Sequence, residues 1–233
     1  MMHLQTENPV ADANTDAILD AGTVPVSWTE TLSRPMTTVD EMQSVVIQLS
    51  AKLEDHPNFH QIYKKSQDFK PSEMRLWGWE LLAELGSMKV GLMTVDADNP
   101  IGLHDHPGSS GAQLVLAGEV RVVQYQHSPV SPLSPLSLVS KSGSKRCNLE
   151  RVSESLLSKA DSAAFTPDFG NIHELVSTQQ QTIILNLVLN PYNEADRNWY
   201  FPITEGEEGK NIIARCMNFT SRPLTTGNRQ SAN

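Results

Sequence analysis

Cysteine is scarce. Cys147 and Cys216 are the only two in 233 residues, and they lie far apart. That excludes a disulfide framework and makes reduced thiols in a cytoplasmic protein the simplest expectation. Positive charge is scarce as well: 18 Lys and Arg stand against 27 Asp and Glu, for a net charge of -9. No local run of lysines and arginines compensates, so nucleic acid and anionic membrane would both repel the chain, and neither is expected as a partner. Long apolar runs are missing; stretches such as TIILNLVLN (182–190) are too short to span a bilayer. The opening stretch MMHLQTENPVADANTDAILDAG has neither a basic n-region nor an apolar h-region, so no secretory signal is expected.

The 39% hydrophobic content is enough for one core. One domain is expected over residues 37–220, between a flexible N-terminal arm (1–36) and a disordered tail (221–233). In TTVDEMQSVVIQLSAKLEDH, Thr38 and Glu41 have capping-box spacing, and Met42, Val45, Val46, Leu49 and Leu53 follow one helical face. The spacing predicts a helix over 38–54, with a less regular one over 58–66. After Pro71 the texture changes to short aliphatic or alternating segments broken by Gly, Pro and Asp, an all-β pattern. AGE at 117–119 is expected as a tight turn between two paired strands. The Ser/Pro-rich stretch 127–148 is expected as a long surface loop. Strands resume near 149–157, 162–166, 172–177 and 181–190, with a last pair from NWYFPI and NIIARCMNF. Helices packed on a β-barrel or two-sheet sandwich satisfy this order.

Histidine is rare too, with 7 in all, yet His104 and His106 stand one residue apart in an apolar run. On a strand, residues i and i+2 share a face, so the two rings point together while Asp105 points away. Buried imidazoles need partners for a donor and an acceptor each, and one metal ion satisfies both acceptors at once. An H-x-H pair also arises by chance or on solvent faces, so the pair alone leaves both readings open. His3, His56, His60 and His127 are expected at the surface or at helix caps. Trp77 and Trp79 are expected in the core, and Asp105 either in solvent or behind the site.

HDHPGSSGAQLVLAG resembles the first motif of the cupin superfamily, with Gly118 at the motif glycine and Gly111 where that motif places a glutamate. PDFGNIHELV resembles the second motif, with Gly170 and His173 at its glycine–histidine spacing. The resemblance implies a cupin double-stranded β-helix (jelly-roll) barrel with a helical N-terminal segment. It also implies a metal held by His104, His106 and His173 with no carboxylate. Three neutral imidazoles leave the ion its full positive charge, which favours an anionic incoming ligand such as a thiolate.

HDHPG, VRVVQY, GNIH and LNLVLNPY together resemble thiol dioxygenases of the cysteamine dioxygenase and plant cysteine oxidase type, over about residues 71–203. The resemblance implies a non-heme Fe(II) enzyme that adds both atoms of O2 to a small thiol (cysteamine, cysteine or a relative) to give a sulfinate. Tyr200 and Glu194 best match the family's tyrosine and acidic-loop residue, the catalytic candidates. Tyr192 ends the strand that carries the family's Pro-Pro-Tyr and is a candidate pocket wall. Asn198 and Trp199 occupy the stretch where some members carry a cysteine, so no Cys–Tyr crosslink is expected. Arg75 and Arg121 are the candidates to grip a substrate carboxylate. The expected partners are a small thiol and O2, and the protein is expected to be a monomer. Two other classes compete: another metal-dependent cupin enzyme, against which the absent motif glutamate argues, and a non-catalytic small-ligand-binding cupin.

Overall fold

The computed structural model describes residues 24–73, 75–86, 88–128, 145–189, 197–205 and 211–217. Helix α1 (Val26–Leu32) falls inside the segment expected to be a loose arm. It is held by Trp28, which is fully buried and donates its indole N–H to the Lys52 carbonyl at 2.9 Å. Helix α2 (Val39–Ser50) begins at the capping box: Thr38 Oγ1 accepts from Glu41 N, and the Glu41 carboxylate accepts from Thr38 N. Its Met42, Val45, Val46 and Leu49 are buried. The helix stops earlier than its apolar spacing predicts, and Leu53 enters the core from a separate 3-10 turn, Leu53–Asp55. There the Lys52 ammonium donates to Ser27 O and Thr31 Oγ1, fastening the turn to α1. Helix α3 (Phe59–Gln67) follows. No helix among the described residues is long and apolar enough to cross a membrane.

The strands are β1 (Gly78–Leu85), β2 (Met88–Asp96), β3 (Ile101–His104), β4 (Gly111–Ala117), β5 (Val120–His127) and β6 (Lys145–Leu157). They continue with β7 (Ser162–Phe165), β8 (Ile172–Ser177), β9 (Gln181–Val188), β10 (Trp199–Glu205) and β11 (Asn211–Met217). Five form a sheet in the order β1-β2-β9-β4-β7; the other six close on themselves as β10-β11-β6-β5-β8-β3. This is the double-stranded β-helix architecture of cupins. α2 packs on β4 and β7, and α3 on β1 and β2, so the outer face of the five-stranded sheet is covered by helices.

Both faces of that sheet are therefore largely buried, which explains why β9 is apolar on both faces apart from Asn186. Leu185 and Leu187 join the helix-side cluster with Leu92 and Leu114, while Ile184 joins the opposite cluster with Met93 and Val115. The alternation puts Asn186, the polar interruption in TIILNLVLN, on the inner face, where it lines a cavity.

The AGE turn differs from expectation. β4 pairs with β7 and β9, and β5 pairs with β6 and β8, so residues 117–119 carry the chain from one sheet to the other. Gly118 makes this corner at φ 84°, and a Cβ there would lie 2.5 Å from the Gln181 carbonyl oxygen. Glu119 O then accepts from Thr182 Oγ1 at 2.7 Å, pinning the corner to β9. Gly118→Ala is expected to cost about 2 kcal/mol or more through backbone strain and this clash, measurable by urea unfolding.

Candidate metal centre

His104 ends β3 and lies directly opposite His173 of β8 across the ladder, with Trp199 opposite it on its other side. Cross-strand neighbours are close by construction, and the two rings sit 4.8 Å apart. His106 lies beyond β3, so strand alternation does not aim it. The Asn171 side chain does: its Oδ1 accepts from His106 N at 2.8 Å, and its Nδ2 donates to His106 O at 2.9 Å and Ser109 O at 3.0 Å. Asp105 is clamped from the other side. It is buried, its N–H donates to Asn198 O, and its carboxylate accepts from Asn198 N, Asn198 Nδ2 and the Tyr200 hydroxyl. The HDH segment is thus fixed between β8 and β10, and Asp105 is a buried staple with no solvent-facing role.

His104 Nδ1 is 2.8 Å from the Gly102 carbonyl, which can only accept, so Nδ1 carries the proton and Nε2 presents its lone pair. His104 Nε2 and His106 Nε2 are 3.1 Å apart. His173 bonds the Gly170 backbone, while its Nε2 is buried with no hydrogen-bond partner. One nitrogen from each of the three rings lies within 4.8 Å of the others. With nitrogen ligands about 2.1 Å from the ion, two of them are about 3.0 Å apart at a right angle and about 3.4 Å apart at a tetrahedral one, which brackets the 3.1 Å between His104 and His106.

Burial pushes all three imidazoles toward the neutral form that binds metal: His104 and His106 titrate well below their ordinary range, and His173 at about 4. Two smaller causes add to desolvation. Neighbouring rings act on His104 and His106, and the Arg197 charge acts on all three. A dry cluster of neutral nitrogens with an orphaned lone pair fits a bound cation and fits little else.

The absence of a carboxylate has a visible cause. A Cβ at Gly111, where the resembling motif has its glutamate, would stand 2.5 Å from Phe165 Cζ. Phe165 is fully buried and stacks on His106 at 4.8 Å. An aromatic ring fills the space an acidic ligand would need. Gly170 is equally constrained: it sits at φ 63°, and a Cβ would approach Gln124 Nε2 to 2.5 Å.

The histidines open onto a solvent-connected cavity of about 160 Å³, also lined by Trp77, Trp79, Lys89, Met93, Gln113, Asn186, Val188 and Arg197. Trp77 and Trp79, expected in the core, are half-buried and form its wall. His56, expected at the surface or at a helix cap, is the C-cap of the 3-10 turn and is buried, with its Nε2 at 2.8 Å from Leu82 O.

Arg75 and Arg121 are not in the cavity. Arg75 pairs with Glu80, and Arg121 with Glu154 and Glu174, all at the protein surface, where solvated ion pairs form readily. Tyr200 also differs from expectation. Strand alternation turns Trp199 toward His104, with ring centres 5.2 Å apart, and Tyr200 the other way, where its hydroxyl is bound to Asp105. Burial and the nearby Asp105 charge hold the Tyr200 hydroxyl protonated. Tyr192, Glu194 and His3 lie outside the described residues. Sequence reading missed Asn171, Lys89 and Arg197. For Asn171 the signal was its place two residues before His173 in GNIH.

A family model described as PCO_ADO matches residues 39–216. No curated protein matches the sequence. Similar solved structures include KdgF from Halomonas sp., 12% identical over 55% of this chain and 89% of that one, with a TM-score of 0.37. A cupin superfamily protein from Desulfitobacterium hafniense is 11% identical over 53% and 85%, at 0.35. A cupin-2 domain containing protein from Shewanella frigidimarina is 11% identical over 54% and 88%, at 0.34.

Asn171→Ala removes the clamp on His106 and is expected to weaken metal binding about tenfold to hundredfold, read as metal retained per chain during dialysis against a graded chelator. In the metal-free chain, His173 titrates at about 4 when folded and near 6.5 when unfolded, so between those values the unfolded chain binds more protons. The His173 contribution to stability should therefore fall by about 3 kcal/mol as pH drops from about 6.5 to about 4. His104 and His106 shift in the same direction and steepen the loss; urea midpoints across that range measure it.

Proposed function

The chain belongs to the PCO_ADO family, that of plant cysteine oxidases and cysteamine dioxygenases, and on that premise we propose that it is a non-heme Fe(II) thiol dioxygenase. The observation that carries this reading is the meeting of three buried, neutral imidazoles at one point with no protein carboxylate beside them. The reaction is RSH + O2 → RSO2⁻ + H⁺. Sulfur gives up four electrons, both oxygen atoms end on sulfur, and no external reductant is needed. A ferrous ion held by His104, His106 and His173 would supply the place where the thiolate sulfur and O2 become neighbours.

The chain's own residues do the rest. Asn171 and Asp105 hold the HDH segment rigid, so that the ring nitrogens stay converged whether or not substrate is present. Phe165, packed on His106 and His173, closes one side of the site to water. Trp77, Trp79, Met93 and Val188 give the cavity an apolar wall that shelters the reacting sulfur. Tyr200 acts as a positioning residue through Asp105. Glu194 is proposed as a catalytic residue and Tyr192 as a substrate contact; both lie outside the described residues. A small thiol and O2 are the substrates on this reading, and Cys147 and Cys216 are not joined in a disulfide.

The test is oxygen uptake by the iron-loaded protein with a panel of small thiols, with the product mass increased by two oxygens. His173→Ala is expected to lose most of its iron and to consume oxygen at less than about a hundredth of the parent rate, as removal of a ligand requires. Uptake unaffected by that change, or absent with every thiol, overturns the reading.

A further inference from the structure

Residues directly opposite one another on neighbouring strands carry their side chains on the same face of the sheet. One such row crosses the closed ring. Ser153 of β6, Gln124 of β5, His173 of β8, His104 of β3 and Trp199 of β10 are successive cross-strand partners. The row puts a buried glutamine directly beside His173. An apolar side chain of the same length would fill that space, and a buried amide is costly unless its polar groups are bonded.

Gln124 finds those partners. Its Nε2 donates to the Ala164 carbonyl at 2.9 Å and to the Gly170 carbonyl at 3.4 Å, and its Oε1 accepts from Ser153 Oγ at 2.7 Å. Carbonyls only accept, so the amide nitrogen must face these two and the oxygen must face Ser153. The β5–β6 pairing shifts register immediately after Gln124, a bulge of the kind that re-aims side chains beside functional sites.

Both carbonyls lead to the metal centre. Ala164 lies on β7 of the other sheet and precedes Phe165, whose ring packs on His106 and His173. Gly170 is the residue whose backbone the His173 ring bonds. His173 Nε2 has no hydrogen-bond partner, so the bonded nitrogen is Nδ1, and Nε2 is the one turned to the site. The Gln124 amide lies so close behind Gly170 that a Cβ there would reach its Nε2 at 2.5 Å.

We propose that Gln124 is a positioning residue for His173. It holds the Gly170 carbonyl, and through Ala164 the Phe165 ring, in fixed places behind the imidazole, so that Nε2 keeps its direction into the site. Ser153 sets the orientation of the amide from the third strand of the row. The proposal rests on the metal centre of the thiol dioxygenase reading and is independent of which thiol that centre takes.

The experiment uses Co(II) as the probe metal in the full-length chain, because its visible absorption reports ligand geometry and requires neither thiol nor O2. Gln124→Met keeps the length of the side chain and removes all three hydrogen bonds. It is expected to weaken Co(II) binding about tenfold to hundredfold in chelator competition, and to change the visible spectrum of the Co(II) that does bind. Ser153→Ala keeps Gln124 and releases its amide; it should move both readouts the same way by a smaller factor. Thr94→Val is the control, because Thr94 bonds the Ser66 carbonyl on the helix side of the five-stranded sheet. It should lower the urea midpoint and leave Co(II) affinity and spectrum at parent values. If Gln124→Met does not fold, Ser153→Ala decides. Parent-like affinity and spectrum in the deciding variant, or an equal loss in Thr94→Val, overturns the positioning role. A parent chain that binds Co(II) but oxidises no thiol when loaded with iron overturns the oxygenase reading and leaves the role of Gln124 standing. A parent chain that binds no Co(II) overturns both.

Discussion

Three imidazole rings sharing one dry spot is the constraint around which this protein is arranged. Each ring is neutral because burial makes it so, and the His173 Nε2 lone pair has no hydrogen-bond donor to meet it. Left alone, such a cluster is unfavourable, since desolvated lone pairs close to one another repel and lose their water. A cation reverses the sign of that balance. The surrounding structure serves to keep the rings from relaxing away: a cross-ladder pairing for His104 and His173, an amide clamp for His106, and a phenyl ring packed behind two of the three.

The two sheets divide the work. The closed ring of six strands and the segments next to β3 and β10 supply the three site histidines and Arg197, while the five-stranded sheet supplies the opposite wall with Trp79, Lys89, Met93, Gln113, Asn186 and Val188. α2 and α3 back that second sheet, so the wall is part of a continuous core. The N-terminal helices thereby affect the site without touching it. They turn the outer face of the wall apolar and leave the inner face free to carry polar groups.

Much of this was legible in the chain. Thr38 and Glu41 announced α2 because capping is a local interaction, and the strand positions along the chain followed from short segments between turn residues. His104, His106 and His173 stood out through motif spacing, which a barrel converts into proximity. What was not legible depends on long-range direction. Arg75 and Arg121 lie on or near strands, yet their reach toward surface carboxylates is set by neighbours distant in sequence. Arg197 was overlooked because it sits just before a strand, where alternation gives no rule. AGE looked like a hairpin turn, and only the pairing partners of β4 and β5 reveal that it joins two sheets. Trp28 was lost in a polar segment that carries no helical period, although one fully buried indole suffices to dock a short helix.

The contact between Gly111 and Phe165 also limits where this sequence can travel. An acidic fourth side chain at position 111 would have to displace the phenyl ring, and removing the ring first would leave a void behind His106 and His173. Removing the ring does not by itself open the position, because a Cβ at 111 would still stand 2.9 Å from the Leu187 carbonyl oxygen; the two changes meet at one site, so their effects are non-additive. That contact keeps a carboxylate at position 111 out of the metal centre of this chain, and the imidazole ligand set stays uncharged whatever the cavity lining presents.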